Sequence, residues 1–145
     1  MYKKIYLASP FFNEMELDVY RSVITQLRAA GYAVYVPQEH EIENAWEKSN
    51  ADWAREVYLA DIDAISACDC VMVLNFGMYS DSGTAWEAGY AMAMAKYTVQ
   101  VLCGDENATY SLMMINGCDK VINLKDVSKW EEIGVHTDCA YIIQK

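Results

Sequence analysis

The chain has 145 residues, 54% of them hydrophobic and 12% aromatic, and carries a formal net charge of −10 at pH 7. That length and apolar content fit one domain spanning residues 1–145, burying about two-thirds of its unfolded surface, and argue against disorder. The negative balance disfavours nucleic acid, anionic membranes and highly phosphorylated substrates, because each demands a basic stripe or a local donor cluster.

Lys4 to Ala8 reads as a short strand ended by Ser9-Pro10. Leu17, Tyr20, Ile24 and Leu27 recur at spacings of three and four, an amphipathic helix stopped by Gly31. Tyr32 to Val36 is a second strand closed by Pro37, and residues 38–50 form a polar loop long enough to suggest function. Trp53, Val57, Ala60, Ala64 and Ala67 outline a second helix and its apolar stripe. Cys70 to Leu74 is apolar without alternation, as expected of an inner parallel strand covered on both faces. A third helix runs from about Thr84 to Lys96, a fourth strand from Thr98 to Cys103, and a weaker fifth over Lys120-Val121-Ile122. The tail from Asp126 holds a short helix and an irregular end. Strand and helix alternate, so the fold class expected is α/β: a doubly wound, flavodoxin-like, mostly parallel five-stranded sheet with helices on both faces.

No apolar run approaches the roughly 18 residues of a membrane span. Met1-Tyr2-Lys3-Lys4-Ile5 passes straight into a strand with no small-residue cleavage site, so no signal peptide is expected. The cysteines (Cys68, Cys70, Cys103, Cys118 and Cys139) sit mostly in or beside apolar runs and read as reduced core thiols of a cytoplasmic protein. His40 and His136 have no partner at ligand spacing, and no metal is expected. No GxGxxG follows the first strand, and no Walker Gly-Lys-Ser/Thr, GxSxG elbow or CxxC occurs, so no cofactor is expected either.

The chemistry concentrates in Asp81-Ser82-Gly83-Thr84-Ala85-Trp86-Glu87-Ala88-Gly89-Tyr90-Ala91, a polar turn and helix start just after the third strand. In an open α/β sheet, ligands bind at the carboxyl ends of strands, where helix N-termini aim N–H groups into the crevice. Glu87 there is a candidate nucleophile or acid/base, although Thr84-Ala85-Trp86-Glu87 also matches a capping box. Asp81 reads as a helix cap or a site acid, and Asp61 borders the apolar stripe of the second helix. Asp63 and Asp69 read as solvated or capping groups, and Tyr6 as a core residue with a satisfied hydroxyl. Phe11 and Phe12, at the carboxyl end of the first strand, suit stacking against a planar ring.

The run Lys4-Ile5-Tyr6-Leu7-Ala8-Ser9-Pro10-Phe11-Phe12, Asp61 and the Asp81–Ala91 segment together resemble the nucleoside 2-deoxyribosyltransferases, over most of the chain to about Ile122. The resemblance implies that Glu87 attacks C1′ of a 2′-deoxynucleoside and holds a covalent deoxyribosyl-enzyme until an acceptor base arrives. It implies that Tyr6 orients that carboxylate and that Asp61 and Asp81 bind the base edge and protonate the leaving nitrogen. Ser9, Phe11, Phe12, Gly83, Ser111 and Met113 would bind substrate. Family members often place Asn before Leu-Met in the segment that serves a neighbouring subunit's 5′-hydroxyl, where this chain has Ser111-Leu112-Met113-Met114. They also use a C-terminal tyrosine or carboxylate there, whereas Tyr141 is followed by Ile142-Ile143-Gln144-Lys145. The partners implied are a deoxynucleoside, a free nucleobase and further copies of the chain, in a dimer-based oligomer such as a tetramer or hexamer. Two alternatives share the pattern: an N-glycosidase of deoxynucleoside 5′-monophosphates and a non-catalytic nucleotide sensor.

Overall fold

The computed structural model describes residues 2–79, 81–135, 139, 142 and 143; His136 and Tyr141 lie outside them. Its elements are β1 (Lys4–Ala8), α1 (Glu14–Ala29), β2 (Ala33–Tyr35), α2 (Asn50–Ala67), β3 (Cys70–Asn75), α3 (Ser82–Ala93), β4 (Tyr97–Leu102), α4 (Leu112–Asn116) and β5 (Lys120–Asn123). Three 3-10 segments, Pro37–Glu39, Ala45–Glu47 and Leu124–Glu132, complete it. The strands form one five-stranded sheet in the order β2-β1-β3-β4-β5, and all four pairings are parallel. This is the doubly wound order, whose topological switch point lies between β1 and β3.

Strand alternation divides the core into two layers. Ile5 and Leu7 of β1 pack with Val23 and Leu27 of α1 and with Trp130 of the last 3-10 segment. Tyr6 and Ala8 of the same strand pack with Ala64 and Ile65 of α2 and Ala88 and Ala91 of α3. β3 is buried at every position, as expected of an inner strand covered on both faces. Each fully buried Leu, Ile or Val in these layers contributes about 1.5–3 kcal/mol. Trp130 is fully buried, and its carbonyl accepts a 3.0 Å hydrogen bond from the buried Lys120 ammonium, which ties the 3-10 segment to β5.

Helix ends explain where the elements stop. α1 begins at Asn13, whose side chain accepts from Glu16 N at 2.9 Å, while Glu16 reaches back to Phe12 N at 3.1 Å. That reciprocal cap fixes the backbone leading out of β1. α1 ends in a Schellman turn, with Tyr32 N donating to Leu27 O and Gly31 N to Arg28 O, and Gly31 takes φ +97°. α3 ends the same way, through Lys96 N to Ala91 O and Ala95 N to Met92 O, but the left-handed position (φ 57°) is held by an alanine. The third helix therefore closes at Ala93, before the expected Lys96. α2 departs from expectation in its first half: Ala64 and Ile65 are buried, but Trp53 is 44% exposed and Ala67 is exposed. Its N-terminal stripe faces a cavity instead of the core. Asp69 accepts from Lys3 N and Lys4 N, anchoring the start of β1. Among the described residues no helix is long and apolar enough to cross a membrane.

Candidate active site

A cavity of about 510 Å³ opens where the chain leaves β1, bounded by residues from the β1–α1 turn, α2 and the start of α3. From the β1 side it receives Ser9, Phe11 and Phe12. Pro10 follows immediately, and the Ser9 hydroxyl donates to its carbonyl at 2.7 Å. Phe11 is half-buried on Tyr20, ring centroids 5.3 Å apart, whereas Phe12 is 77% exposed at the rim.

The acids come from two helices. Asp61 is half-buried on α2 and its carboxyl is pushed up by desolvation, with His40 across the cavity pulling the other way. Asp81 is the N-cap of α3: its Oδ2 accepts from Thr84 N at 2.7 Å and from the Thr84 hydroxyl at 2.9 Å. This corrects the capping-box alternative. The helix begins at Ser82, three residues earlier than that box requires, so the cap is Asp81 and Glu87 is released from any capping duty. Gly83 sits close under this cap, where a Cβ would stand 3.1 Å from Asp81 Oδ2.

Glu87 follows Thr84 by three residues and precedes Ala88 and Ala91 of the buried face of α3, so the helix turns it toward the sheet. Its carboxyl is raised to about 7: burial is the main cause, Tyr6 opposes it, and the negative charges of Asp61 and Asp81 add to it. The Tyr6 hydroxyl lies near enough to favour the ionised carboxylate, yet no hydrogen bond of ordinary length and angle closes. Both the hydroxyl and Glu87 Oε2 are buried without a partner. Tyr6 is thus in the core, as expected of a strand residue, but its hydroxyl is unsatisfied and faces the site. Its own ionisation is pushed far up, first by burial and then by Glu87.

A smaller cavity of about 320 Å³ opens between α2 and α3, lined by Gly83, Tyr58 and Trp86 and sharing Asp61 and Glu87 with the first. The structure therefore gathers Ser9, Phe11, Phe12, Asp61, Asp81, Gly83 and Glu87 around two adjoining spaces, with Tyr6 buried beside Glu87. It does not bring Ser111 and Met113 there. They line a separate groove of about 730 Å³ with Met78, Gly89 and Met92, between α3 and α4. Among the described residues no group of three or more His, Cys, Asp or Glu side chains is arranged to hold a metal ion.

Among the cavity residues that the sequence did not single out as site residues are Tyr35, His40, Trp46 and Trp53. Trp53, Val57 and Asp61 recur at intervals of four on α2, a spacing that signals a shared face, but an apolar stripe of this kind reads first as core. Tyr35 stacks on Tyr6 at 5.5 Å and His40 on Tyr35 at 4.2 Å, so three rings run from solvent to the side chain facing Glu87.

The family model for nucleoside 2-deoxyribosyltransferase matches residues 5–135, nearly the whole of this arrangement. The chain belongs to that family. Its structure is similar to that of a 2-deoxyribosyltransferase from Bacillus psychrosaccharolyticus, at 29% identity over 98% of this chain and 97% of that one, with a TM-score of 0.75. It is also similar to the CMP N-glycosidase BcmB of Clostridium botulinum, at 25% identity over 90% and 95% of the chains and a TM-score of 0.58. A conserved protein from Enterococcus faecalis shares the fold, at 21% identity over 91% and 98% of the chains and a TM-score of 0.76. No curated protein sequence matches. Membership of the family indicates deoxyribosyl transfer on nucleoside and nucleobase substrates.

Proposed function

We propose that the protein exchanges bases on 2′-deoxynucleosides by double displacement at Glu87. The observation that carries this reading is the half-buried, uncapped Glu87 carboxyl, poised at about 7 beside the Tyr6 hydroxyl and two further acids. One Glu87 oxygen bonds to C1′ as the C1′–N bond breaks, and the bonding pair leaves with the base nitrogen. Asp61 suits the role of proton donor to that nitrogen, since desolvation favours its protonated form. An acceptor base nitrogen then attacks C1′, the ester bond breaks back to carboxylate, and the acceptor's proton returns to the acid. The transition state has oxocarbenium character, which the ionised carboxylate and the acid-lined cavity stabilise. Phe11, Phe12 and Trp53 supply apolar surface for the base, and Ser9 a hydroxyl beside it.

The reading is tested by incubating the protein with a 2′-fluoro-2′-deoxynucleoside and measuring intact mass. A 2-fluoro-2-deoxyribosyl adduct that disappears in Glu87→Ala is expected. Base exchange by Glu87→Ala at the wild-type rate would sink the mechanism, and tight binding without an adduct would favour a sensor.

A monophosphate N-glycosidase is the second reading, favoured by the likeness to a CMP N-glycosidase. Against it, no Lys or Arg lines either cavity among the described residues, and Asp61, Asp81, Glu87 and Glu41 do. A phosphate dianion in that surround would meet repulsion without a donor cluster. Comparing a deoxynucleoside with its 5′-monophosphate, with and without acceptor base, separates the two.

The same reading includes a homo-oligomer. The groove beside α4 exposes Met92, Leu112 and Met113, the last to 74%, which is the composition of a buried interface. Ser111 and Met113, remote from their own cavity, would then serve a neighbour's site.

A further inference from the structure

We infer that Trp46 is a specificity-determining residue of the site, a stacking plate for the substrate base supplied by the segment between β2 and α2. The inference rests on the transferase reading of the cavity. Trp46 lines that cavity yet is 84% exposed, and it stacks on no other ring among the described residues, whereas Tyr6, Phe11, Tyr35 and His40 all do. An indole is the largest apolar side chain and offers a wide π-face, so leaving it bare at a cavity mouth forgoes favourable burial that a planar ligand would restore.

The segment is built to present it. At one end Arg28 of α1 grips Glu39 with two hydrogen bonds, 2.9 and 2.6 Å, and donates a third to Val34 O. At the other end Lys48 meets both oxygens of Glu56 on α2 at 2.6 Å. Exposed ion pairs of this kind add little stability, but they fix where the segment enters and leaves. Between them Asn44 adopts the left-handed conformation (φ 55°) that reverses the chain into the Ala45–Glu47 3-10 turn carrying Trp46. Asn tolerates that conformation better than other non-glycine residues. The rest of the cavity wall in this segment is Pro37, Gln38, His40, Glu41, Ile42 and Ala45, so Trp46 is its one broad ring face.

Stacking on an aromatic plate is sequence-tolerant but grows with ring area. The plate therefore favours purines over pyrimidines and acts on binding of the base, not on the attack at C1′. In Trp46→Ala the KM for a purine acceptor should rise about tenfold and that for cytosine about threefold, with kcat nearly unchanged. Trp46→Phe should restore most of the loss. Adenine should quench the indole fluorescence of wild type, and Trp46→Ala should lose that component of the quench. An unchanged KM and quench in Trp46→Ala would overturn the assignment. So would a fall in assembly size without a change in KM, which would make the indole a subunit contact. If wild type exchanges no bases but adenine still quenches Trp46, the plate stands and the transferase reading fails.

Discussion

Tyr6 is fully buried beside Glu87, and neither the Tyr6 hydroxyl nor Glu87 Oε2 has a hydrogen-bond partner among the described residues. An unmet donor beside an unmet acceptor in the core costs stability, and here the acceptor residue, Glu87, lines a cavity of about 510 Å³.

The pH profile should report this. Glu87 is raised to about 7 and its ionised form is the nucleophile, while Asp61 must hold a proton, so kcat/KM should be bell-shaped, one limb reporting Glu87 and the other Asp61. Tyr6 lowers the Glu87 value, so Tyr6→Phe should shift that limb to higher pH. An unchanged limb in Tyr6→Phe would remove Tyr6 from the site's electrostatics.

Stability should run the opposite way. The folded-state value for Glu87 lies above its ordinary 4.5, so the folded protein binds the proton more tightly than the unfolded chain. The stability this provides is full below about pH 4.5 and is lost as pH rises through 7. Glu87→Gln should therefore be more stable than wild type above pH 7, by about 3 kcal/mol, and lose that advantage in acid. Urea unfolding at two pH values measures it.

Asp81 caps α3 and also lines the cavity, and its two roles are separable. Asp81→Ala should cost about 1 kcal/mol through the lost cap. Asp81→Asn keeps a capping oxygen, so it should fold like wild type while losing activity. If Asp81→Asn exchanges bases normally, Asp81 is a cap alone.

The two Schellman turns predict opposite outcomes for opposite substitutions. Ala95→Gly removes a left-handed alanine and should stabilise by about 1 kcal/mol. At Gly31 a Cβ would meet no atom within 4 Å, so Gly31→Ala should cost about the same through backbone alone. Thermal unfolding of each reads the difference.

Met113→Lys places a charge on a side chain that is 74% exposed in one copy of the chain. Subunit stability should be unchanged, while light scattering should show a smaller assembly with reduced exchange activity.

The parallel α/β class and the positions of α1, α2 and α3 were legible because they follow from the alternation of strand and helix, from periodicity and from glycine and proline stops. α4 was missed because five residues carry too little periodicity to announce a helix. The N-terminal half of α2 was misread because a stripe facing a cavity and a stripe facing the core have the same spacing. Thr84 and Asp81 are both good caps three residues apart, and only the path of the chain out of β3 selects Asp81. Trp46 and His40 lie in an aperiodic segment, where nothing local says that ion pairs at either end will hold them against the cavity.

The alternation within β1 makes that strand a partition between two jobs. Ile5 packs on the α1 side of the sheet and is absent from the cavity lining, Leu7 packs there but also reaches the cavity, and Tyr6 and Ala8 belong to the side of α2 and α3. Repacking Ile5 with α1 and Trp130 should alter how firmly the protein stands while leaving the cavity wall in place. The protein is thus modular across the thickness of its sheet, and thermostability and substrate choice can be engineered on opposite faces of five consecutive residues.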